Sequence, residues 1–398
     1  MKTQEDAVGR RMSCDGERGT VRYVGPVPPT AGVWLGVEWD DPERGKHDGG
    51  HEGVRYFTCR HPKGGSFVRP KKASFGVDYV TALKQRYEVE LQEAIGEDLT
   101  ISSKTVMMAF SECKMCLLCS RRLENLTEIS LRRCEVSGPG PENEIRNATP
   151  FARSLDLSGN LLSSWEVLAA ITEQLESLRE LQLSHNRLST SSDLSRLSPA
   201  FSCLRVLSLN SCALTWTQVL HCVPMWRQVE ELYLADNDIT ELLRPQHVLQ
   251  ALKVLDLSSN QIVQETVLEI SHLPGLQKLN LSSSGLSVFQ FSDASPGNKT
   301  ALFPALKTLL LDDNSISEVN IKKHHVKMSH FTVCIQLHLQ KRFIYMESML
   351  NASKVSTLMF QSSFGVTEIF IEIEIDNDLK PLEFYSVEDG DRILVRWS

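Results

Sequence analysis

A repeating pattern of leucines occupies the middle of the chain. From Leu126 onward the spacing Leu-x-x-Leu-x-Leu-x-x-Asn-x-Leu recurs in segments such as LRELQLSHNRL, VEELYLADNDI, LKVLDLSSNQI and LKTLLLDDNSI. The Asn-equivalent positions follow one another at intervals of 23 to 30 residues, and they are Cys134, Asn160, Asn186, Cys212, Asn237, Asn260, Ser284 and Asn314. Because the Leu-x-Leu alternation directs two leucines to one face of a short strand, the pattern predicts parallel strands that stack into one continuous core.

Other positions of each repeat have predictable roles. The buried Asn is expected to satisfy backbone groups where the chain turns, and a Cys or Ser in its place should do so less completely. Segments with helical spacing, such as residues 164–178, are expected to return along the convex side. The concave strand positions form a polar, partly acidic ladder, and they are Asp156, Gln182, Ser208, Tyr233, Asp256 and Asn280. As a set they indicate a protein-binding surface, although for any one of them a solvated strand face is the more common interpretation.

A different pattern, of short strands and turn clusters, covers residues 19–72. The strand segments GTVRYVG, WLGVEWD and SFVRP are separated by GPVPP, GKHDGG and KGG, which predicts a small β-domain. Residues 1–80 contain thirteen Lys and Arg against eleven Asp and Glu, whereas the whole chain has a formal charge of −8. The N-terminal head (residues 1–80) is thus mildly basic while the rest of the chain is acidic, which suits an acidic ligand bound by the head.

The turn GKHDG is the richest in candidate chemistry. Its glycines, Gly45 and Gly49, are expected to permit positive φ angles and the close approach of a ligand backbone. The ammonium group of Lys46 would lie beside Trp34 and Phe67, which suits a flexible chain that ends in a carboxylate with an acidic or aromatic residue before it. The alternative is that both aromatic rings belong to the core, since small β-domains need their large apolar residues.

The spaced residues of this domain resemble those of the CAP-Gly family. They are Gly19, Val21, Tyr23, Gly25, Trp34, Gly36, Val37, Asp40, Gly45, Lys46, Asp48, Gly49, Tyr56 and Phe57, followed by Gly65, Phe67 and Val68. The resemblance implies a groove for the acidic, aromatic-ended tails of α-tubulin and of some microtubule proteins. By position it would be lined by Trp34, Lys46, His47, Phe67 and Arg69, with Gly45, Asp48 and Gly49 as the structural turn.

The chain departs from the CAP-Gly pattern at two positions. His47 replaces the Asn of the usual Gly-Lys-Asn-Asp-Gly, and an imidazole donates one hydrogen bond with a different geometry and pH response. Pro29 stands where the family often has an aromatic residue.

The segments on either side of the repeats have weaker patterns. Residues 81–125 are predicted to be a helical connector and repeat cap, with helices over 81–95 and 104–126. Residues 319–361 have neither the repeat spacing nor a clear cap, apart from a strand-like FTVCIQLHLQ, and are interpreted as an irregular linker or degraded segment. Residues 362–398 are again β-patterned and resemble the end of a ubiquitin-like (β-grasp) domain, of which they would be only a part.

Two groups of side chains invite a metal-site interpretation. Cys113, Cys116 and Cys119 have a suitable spacing, but no fourth ligand follows and the surroundings are apolar. His324, His325, His330 and His338 have no carboxylate or cysteine cluster at zinc spacing. We therefore predict no metal.

Composition narrows the function classes. The chain is 41% hydrophobic and 23% charged, which is typical of globular proteins. Its N-terminus does not look like a signal peptide and no window of eighteen apolar residues occurs, so we expect a cytoplasmic, cytoskeleton-associated protein with reduced cysteines and no membrane contact. The negative charge argues against nucleic acid as a partner. No phosphate loop, Ser-His-Asp set or paired carboxylates indicate an enzyme, and no cofactor is expected.

The order of the three parts resembles that of the tubulin-folding cofactors. These parts are a CAP-Gly domain (1–80), leucine-rich repeats (126–318) and a partial ubiquitin-like tail. The segment between the repeats and the tail is shorter than in the family, so we expect a shortened form. The resemblance implies binding of α-tubulin and action with other tubulin-folding cofactors in assembly and disassembly of the αβ heterodimer. The alternative is a microtubule-associated adaptor that binds tails through the CAP-Gly domain and recruits a regulator through the repeats. Because solenoid cores are local, the repeats are expected to stay folded without residues 1–80.

Overall fold

The computed structural model describes residues 7–96, 123–189, 193–290 and 303–315, together with strands at 318–320, 332–336, 355–361, 370–373 and 392–397. The chain divides into two compact units, residues 1–193 with 199–203 and residues 194–198 with 204–398. The candidate metal ligands, namely the three cysteines and four histidines, lie outside the described residues, as does nearly all of the helix predicted over 104–126. Among the described helices, none is both long and apolar enough to cross a membrane.

The first unit begins with the predicted small β-domain. Its four-stranded antiparallel sheet has the order β1-β2-β3-β6, with strands β1 (Arg11–Cys14), β2 (Glu17–Val27), β3 (Thr30–Trp39) and β6 (Gly65–Val68). A small hairpin, β4 (Gly50–His51) and β5 (Val54–Arg55), lies between β3 and β6. Alternate residues of the sheet form the core, which contains Met12, Cys14, Val21, Leu35, Val37, Trp39 and Val68. Trp34 and Phe67 are half-buried and are not members of this core.

A short strand and a long helix follow the β-domain. They are β7 (Val77–Asp78) and α1 (Tyr79–Gly96), and α1 contains the helix predicted over 81–95. The carboxylate of Asp78 accepts hydrogen bonds from the backbone N–H of Thr81 at 2.8 Å and from its hydroxyl at 2.7 Å. This is the usual way to satisfy the free donors at a helix start, and it explains why α1 begins here.

The remaining elements of the first unit are the first repeats. They are β8 (Glu128–Ser130), β9 (Val136–Gly138), α2 (Glu144–Ala148), β10 (Ser154–Asp156), α3 (Trp165–Thr172) and β11 (Glu180–Gln182). β8, β10 and β11 pair in parallel, and the inward leucines Leu155 and Leu181 are register partners. α3 lies within the helical segment expected over 164–178. The parallel repeat sheet predicted from the leucine spacing is confirmed in this unit.

The second unit continues the same plan. Its elements are β12 (Val206–Ser208), α4 (Trp216–Cys222), β13 (Glu231–Tyr233), β14 (Val254–Asp256), β15 (Lys278–Asn280), β16 (Val288–Gln290), β17 (Thr308–Leu310), β18 (Glu318–Asn320), β19 (Thr332–Gln336), β20 (Val355–Gln361), β21 (Phe370–Ile373) and β22 (Arg392–Trp397). β12, β13, β14, β15, β17 and β19 are parallel neighbours, whereas β22, β20 and β21 follow in antiparallel pairing. β19 falls in the strand-like FTVCIQLHLQ segment, while β20 has no counterpart in the sequence prediction.

Buried asparagines tie the repeats together as expected. The side-chain amide of Asn260 donates to the carbonyls of Leu234 and Leu257, both at 2.9 Å. Its oxygen accepts from the backbone N–H of Asn237 at 3.1 Å and of Ile239 at 3.3 Å. Asn260 is fully buried, so one side chain satisfies backbone groups of two consecutive repeats where no water reaches.

A serine at the same position does less. The Ser284 hydroxyl donates to the Leu257 carbonyl at 3.4 Å, a long hydrogen bond. The backbone N–H of Ile262, which corresponds to the Ile239 N–H that the Asn260 side chain accepts, donates to the backbone carbonyl of Ser284 at 3.2 Å and not to its side chain. The expectation that Ser replaces Asn incompletely is therefore confirmed here.

Within the first unit, the β-domain packs directly on the first repeat. β7 pairs in parallel with β9, and the N–H of Val77 donates to the carbonyl of Glu135 at 3.0 Å. The Glu135 carboxylate accepts hydrogen bonds from the hydroxyls of Ser13 and Ser74, the latter at 2.7 Å. At Gly76 (φ +77°) an added Cβ would lie 2.2 Å from the same carbonyl. The head is thus joined to the repeats by side-chain and backbone contacts.

The start of α1 contributes to the same junction. Tyr79 and Leu83 are fully buried, and the Tyr79 hydroxyl lies 3.3 Å from that of Thr149 in the first repeats. Burial raises the pKa of Tyr79. The N–H of Ser130 donates to the hydroxyl of Tyr87 at 3.0 Å. Residues 77–87 therefore cover the first repeat, a role that the sequence had assigned only to the connector after residue 80.

Candidate functional site

A groove of about 310 Å³ opens on the N-terminal β-domain. The side chains that line it come from β1, β3, β6 and the segments that follow each of these strands, and they are Cys14, Asp15, Trp34, Trp39, Arg44, Lys46, Ser66, Phe67, Val68, Arg69 and Lys72. Four of the five residues proposed from the sequence, Trp34, Lys46, Phe67 and Arg69, are thus brought to one groove. The fifth, His47, stands next to it with its ring centroid 5.0 Å from that of Phe67.

The Gly-Lys-His-Asp-Gly turn is fixed to the start of β6 by backbone hydrogen bonds. The N–H groups of Lys46 and His47 donate to the carbonyl of Gly65 at 2.7 and 3.1 Å, and the N–H of Gly65 donates back to His47 at 2.7 Å. The Lys46 side chain is exposed at this fixed position. The backbone therefore presents the lysine without restricting its ammonium group.

The two glycines of the turn are required for different reasons. Gly49 has a φ of +99°, as expected, and an added Cβ would lie 2.1 Å from the carbonyl oxygen of Phe57. Gly45 has a φ of −76°, so the expectation of a positive φ is wrong there. What excludes a side chain at Gly45 is contact within the domain, because a Cβ would lie 1.9 Å from the carbonyl oxygen of Lys63.

His47 has a defined tautomer in the folded chain. The N–H of Gly49 donates to Nδ1 of His47 at 3.0 Å, so the ring proton of the neutral form is on Nε2. Burial lowers the pKa of His47, and the neighbouring cations His51 and Lys46 lower it further against the opposing effect of Asp48. A neutral ring with one N–H donor therefore takes the place of the asparagine amide that is usual in the family.

Asp48 stabilises the Gly-Lys-His-Asp-Gly turn, which is the structural role that the sequence suggested. Its carboxylate lies 2.5 Å from the Arg55 guanidinium and accepts from the N–H of Gly50 at 3.2 Å. The hydrogen bond from Arg55, and then that from Gly50, lower the pKa of Asp48. This carboxylate is committed to closing the turn.

Arg69 is stacked on Trp34. Its guanidinium carbon lies 3.7 Å from the centroid of the Trp34 ring, within cation–π distance. One guanidinium nitrogen, Nη1, donates to the carbonyls of Ala31 and Val33 at 3.0 and 3.3 Å. Arg69 thus holds the start of β3 against the groove while adding positive charge to it.

Phe67 is the centre of an aromatic cluster on the groove floor. The rings of Tyr56, Phe57 and Tyr23 meet it edge to face, with centroids 5.5, 5.6 and 6.5 Å away. Edge-to-face contacts of this kind fix ring orientation as well as burying area. Phe67 is therefore a preformed apolar surface for a ligand.

Four residues that the sequence pattern did not indicate change the groove's charge and shape. They are Asp15 and Trp39, together with two cations, Arg44 and Lys72. Four cationic side chains line the groove against one carboxylate, that of Asp15. Among the described residues, no acceptor contacts the ammonium group of Lys46 or of Lys72. The position of Arg44 directly before the Gly-Lys-His-Asp-Gly turn could have drawn attention to it, but nothing in the sequence indicated the approach of Asp15.

The polar ladder of the repeats has the predicted register within each unit. Asp156 pairs with Gln182 in the first unit. In the second, Ser208 pairs with Tyr233, Tyr233 with Asp256 and Asp256 with Asn280. Several of these side chains are hydrogen-bonded to residues two positions away along the chain. For example, the Tyr233 hydroxyl donates to Glu231 at 2.7 Å. The ladder has no catalytic arrangement among the described residues, and its role as a protein-binding face stays a prediction.

Comparison with known proteins agrees with these two structural parts. The CAP-Gly domain family matches residues 8–73, and the Leucine Rich Repeat family matches residues 177–198 and 251–273. Tubulin-specific chaperone E of Danio rerio is 78% identical over 315 residues, which are 79% of this chain and 60% of the relative. The Homo sapiens protein of the same name is 48% identical over 317 residues, with the same coverage of 79% and 60%. The resemblance to the tubulin-folding cofactors is confirmed. Both of these relatives are named tubulin-specific chaperone E, so the resemblance is to that member of the cofactors.

The extent of these matches is partial. The chain spans 60% of the length of the curated relatives named above. A solved structure, the Bik1 CAP-Gly domain with ETF peptide from Bim1, is 32% identical and covers 18% of this chain and 94% of its own, with a TM-score of 0.17. The two family matches, together with the N-terminal β-domain and the parallel repeat strands, establish an architecture of a CAP-Gly domain followed by leucine-rich repeats.

Proposed function

We propose that this chain is a tubulin-folding cofactor that binds α-tubulin and takes part in assembly and disassembly of the αβ-tubulin heterodimer. The observation that carries the proposal is the groove, in which four cations and half-buried aromatic rings face one carboxylate. Such a surface fits a flexible, acidic chain end with an aromatic side chain, as the CAP-Gly resemblance implies for the tail of α-tubulin. Relatives named tubulin-specific chaperone E support the same ligand.

Each groove residue has a distinct part in this proposal. The free ammonium group of Lys46 binds a carboxylate at the end of the tail, and Phe67 and Trp34 pack against its aromatic ring. The Nε2–H of His47 donates a hydrogen bond to the ligand, in the place of the usual asparagine. Arg69 binds less directly, since part of its guanidinium already binds the start of β3.

The repeats would supply a second contact. The polar ladder, with its aspartates and a tyrosine, would bind the folded body of α-tubulin while the groove holds the tail. Two tethered contacts raise the effective concentration of each, so neither needs to be tight. Binding, release and handover of α-tubulin then require no covalent chemistry, and we propose a non-enzymatic, cytoplasmic role that includes other tubulin-folding cofactors and is associated with the cytoskeleton. The C-terminal strands would belong to a partial ubiquitin-like fold.

The test is size-exclusion chromatography of the purified chain with αβ-tubulin. A tubulin-folding cofactor should elute in a soluble complex with α-tubulin and lower the amount of polymer. An adaptor should instead co-sediment with microtubules and leave the heterodimer intact, and that result would overturn the proposal in favour of the alternative.

The groove assignment has its own test, by calorimetry with an α-tubulin tail peptide. Lys46→Ala should weaken binding by roughly tenfold, because it removes a charged donor from a carboxylate. Lys63→Ala is the matched control, since Lys63 is exposed and does not line the groove. Equal affinity of Lys46→Ala and the native chain would exclude this groove as the tail site.

A further inference from the structure

One end of the groove contains a charge pair that the CAP-Gly pattern does not include. The Arg44 guanidinium carbon lies 4.9 Å from the centroid of the Trp39 ring, and its Nη2 atom lies 3.5 Å from the Asp15 carboxylate. Trp39 is a core residue, so the ring holds the guanidinium in position from below. Lys72, which lines the same groove, adds a second cation.

Asp15 is positioned by a tight turn. It lies between β1 and β2 with a φ of 55° and is followed by Gly16 with a φ of 85°, the Asp-Gly pattern of a two-residue hairpin turn. Its side chain is 69% exposed and that of Arg44 33% exposed. An ion pair so exposed is weak, because water and salt screen it. A second carboxylate could therefore replace Asp15 at little cost.

We propose that Arg44 and Lys72 form a second, basic subsite of the groove. This subsite binds a carboxylate side chain upstream of the ligand's chain end, and Asp15 occupies it in the free protein. The inference rests on the proposed function, in which Lys46 binds the chain end itself. Once the end is held, an upstream carboxylate of the same peptide is present at a high effective concentration. It can pair with both cations, whereas Asp15 contacts one of them.

The consequence is selectivity for a run of acidic residues. A ligand with one acidic residue beside its aromatic end would use only the Lys46 part of the groove. A ligand with further glutamates upstream would also displace Asp15 and pair with Arg44 and Lys72. The groove would thus distinguish strongly acidic tails from chain ends that carry only the terminal motif.

The experiment measures binding of two peptides to the full chain by calorimetry. Both end in Glu-Tyr with a free carboxyl group, and the residues before this end are glutamates in one peptide and glutamines in the other. The native chain should bind the glutamate peptide roughly fivefold more tightly, the upper range for one partly exposed ion pair. Arg44→Gln and Lys72→Gln should each reduce this ratio, because they weaken binding of the glutamate peptide more than binding of the glutamine peptide. Asp15→Asn should increase the ratio.

Matched controls separate the subsite from the general charge of the domain. Arg60→Gln and Lys71→Gln remove the same charge from exposed positions that do not line the groove, and Glu17→Gln is the equivalent control for Asp15. The controls should preserve the native ratio. If the controls and the groove variants reduce the affinity ratio equally, the subsite is wrong and the preference comes from the overall positive charge of the domain.

The remaining outcomes are also decisive. If the native chain binds both peptides with the same affinity, the second subsite is wrong and the proposed function is untouched. If it binds neither peptide, the groove assignment fails and the subsite fails with it.

Discussion

His47 has two ring nitrogens in different surroundings, and this gives the turn a pH response. Burial lowers its pKa below the ordinary value of about 6.5, so the unfolded chain takes up the proton first as the pH falls. The stability that the neutral ring contributes is fully present above about pH 6.5 and is lost as the pH falls through the lower folded pKa. His47→Asn should flatten this decrease, since an amide oxygen can accept the Gly49 N–H at any pH. Calorimetric melts from about pH 7 to 5 would measure it.

The control for this prediction is His61→Asn. His61 is exposed and lies outside the groove, so its replacement should leave the pH dependence of the melting temperature as it is in the native chain. A native-like slope in His47→Asn would show that the titration comes from another group.

Gly49 and Gly53 offer a comparison between backbone strain and collision. Both have positive φ angles, +99° and +80°, but an added Cβ meets the Phe57 carbonyl at 2.1 Å only at Gly49, while nothing lies within 4 Å at Gly53. Gly53→Ala should therefore cost about 1 kcal/mol of unfolding free energy, from strain alone. Gly49→Ala should cost about 3 kcal/mol or more and displace the lysine-bearing turn. Chemical denaturation of both variants checks the difference, and equal costs would refute the collision.

The groove shows which single residues a sequence can reveal. Trp34, Lys46 and Phe67 could be predicted because the turn and strands that carry them have a recognisable local pattern. Asp15 and Lys72 reach the groove only through the packing of separate segments, and nothing in the sequence around them indicates that they meet there. The spacing of residues along the chain contains no information about such encounters.

At the scale of the elements, the asparagine ladder predicts unequal costs for similar substitutions. Asn260→Ala removes five hydrogen bonds and leaves buried backbone groups of two repeats without partners. We expect a loss of about 3 kcal/mol or more in unfolding free energy. Ser284→Ala removes long hydrogen bonds of 3.3 and 3.4 Å and should cost less than about 1 kcal/mol.

Urea denaturation of the two variants, followed by circular dichroism, measures this difference. Ser284 is an internal control because it occupies the same repeat position and is also fully buried. Equal costs of the two substitutions would show that Asn and Ser contribute equally at this repeat position, and the prediction would then be wrong.

The strands of the repeats could be predicted because their period is long and their leucines recur eight times. β7 could not, since a two-residue strand has no periodicity and its partner β9 lies far along the chain. The same limit applies to β20, which lies in a stretch without repeat spacing. Regular elements are encoded locally, whereas short pairing segments depend on what the fold brings beside them.

At the scale of the whole molecule, the junction inside the first unit changes how the domains should be separated. The sequence predicted that the repeats stay folded without residues 1–80. That boundary, however, removes β7 and Tyr79, which is fully buried at the junction with the first repeats. A boundary at residue 76 removes the head but keeps both. The two truncations therefore differ by four residues that belong structurally to the repeats.

We expect the two truncated chains to differ in hydrogen exchange. Deletion of 1–80 should speed exchange in residues 123–157 by removing about 3 kcal/mol or more of local stability, since loss of a buried aromatic side chain costs this much. Deletion of 1–76 should leave exchange there close to that of the full chain. Residues 254–281 are the internal control in both, because each repeat depends on its neighbours. Equal exchange in both chains would mean that β7 and Tyr79 add no stability, and that the head ends at residue 80 after all.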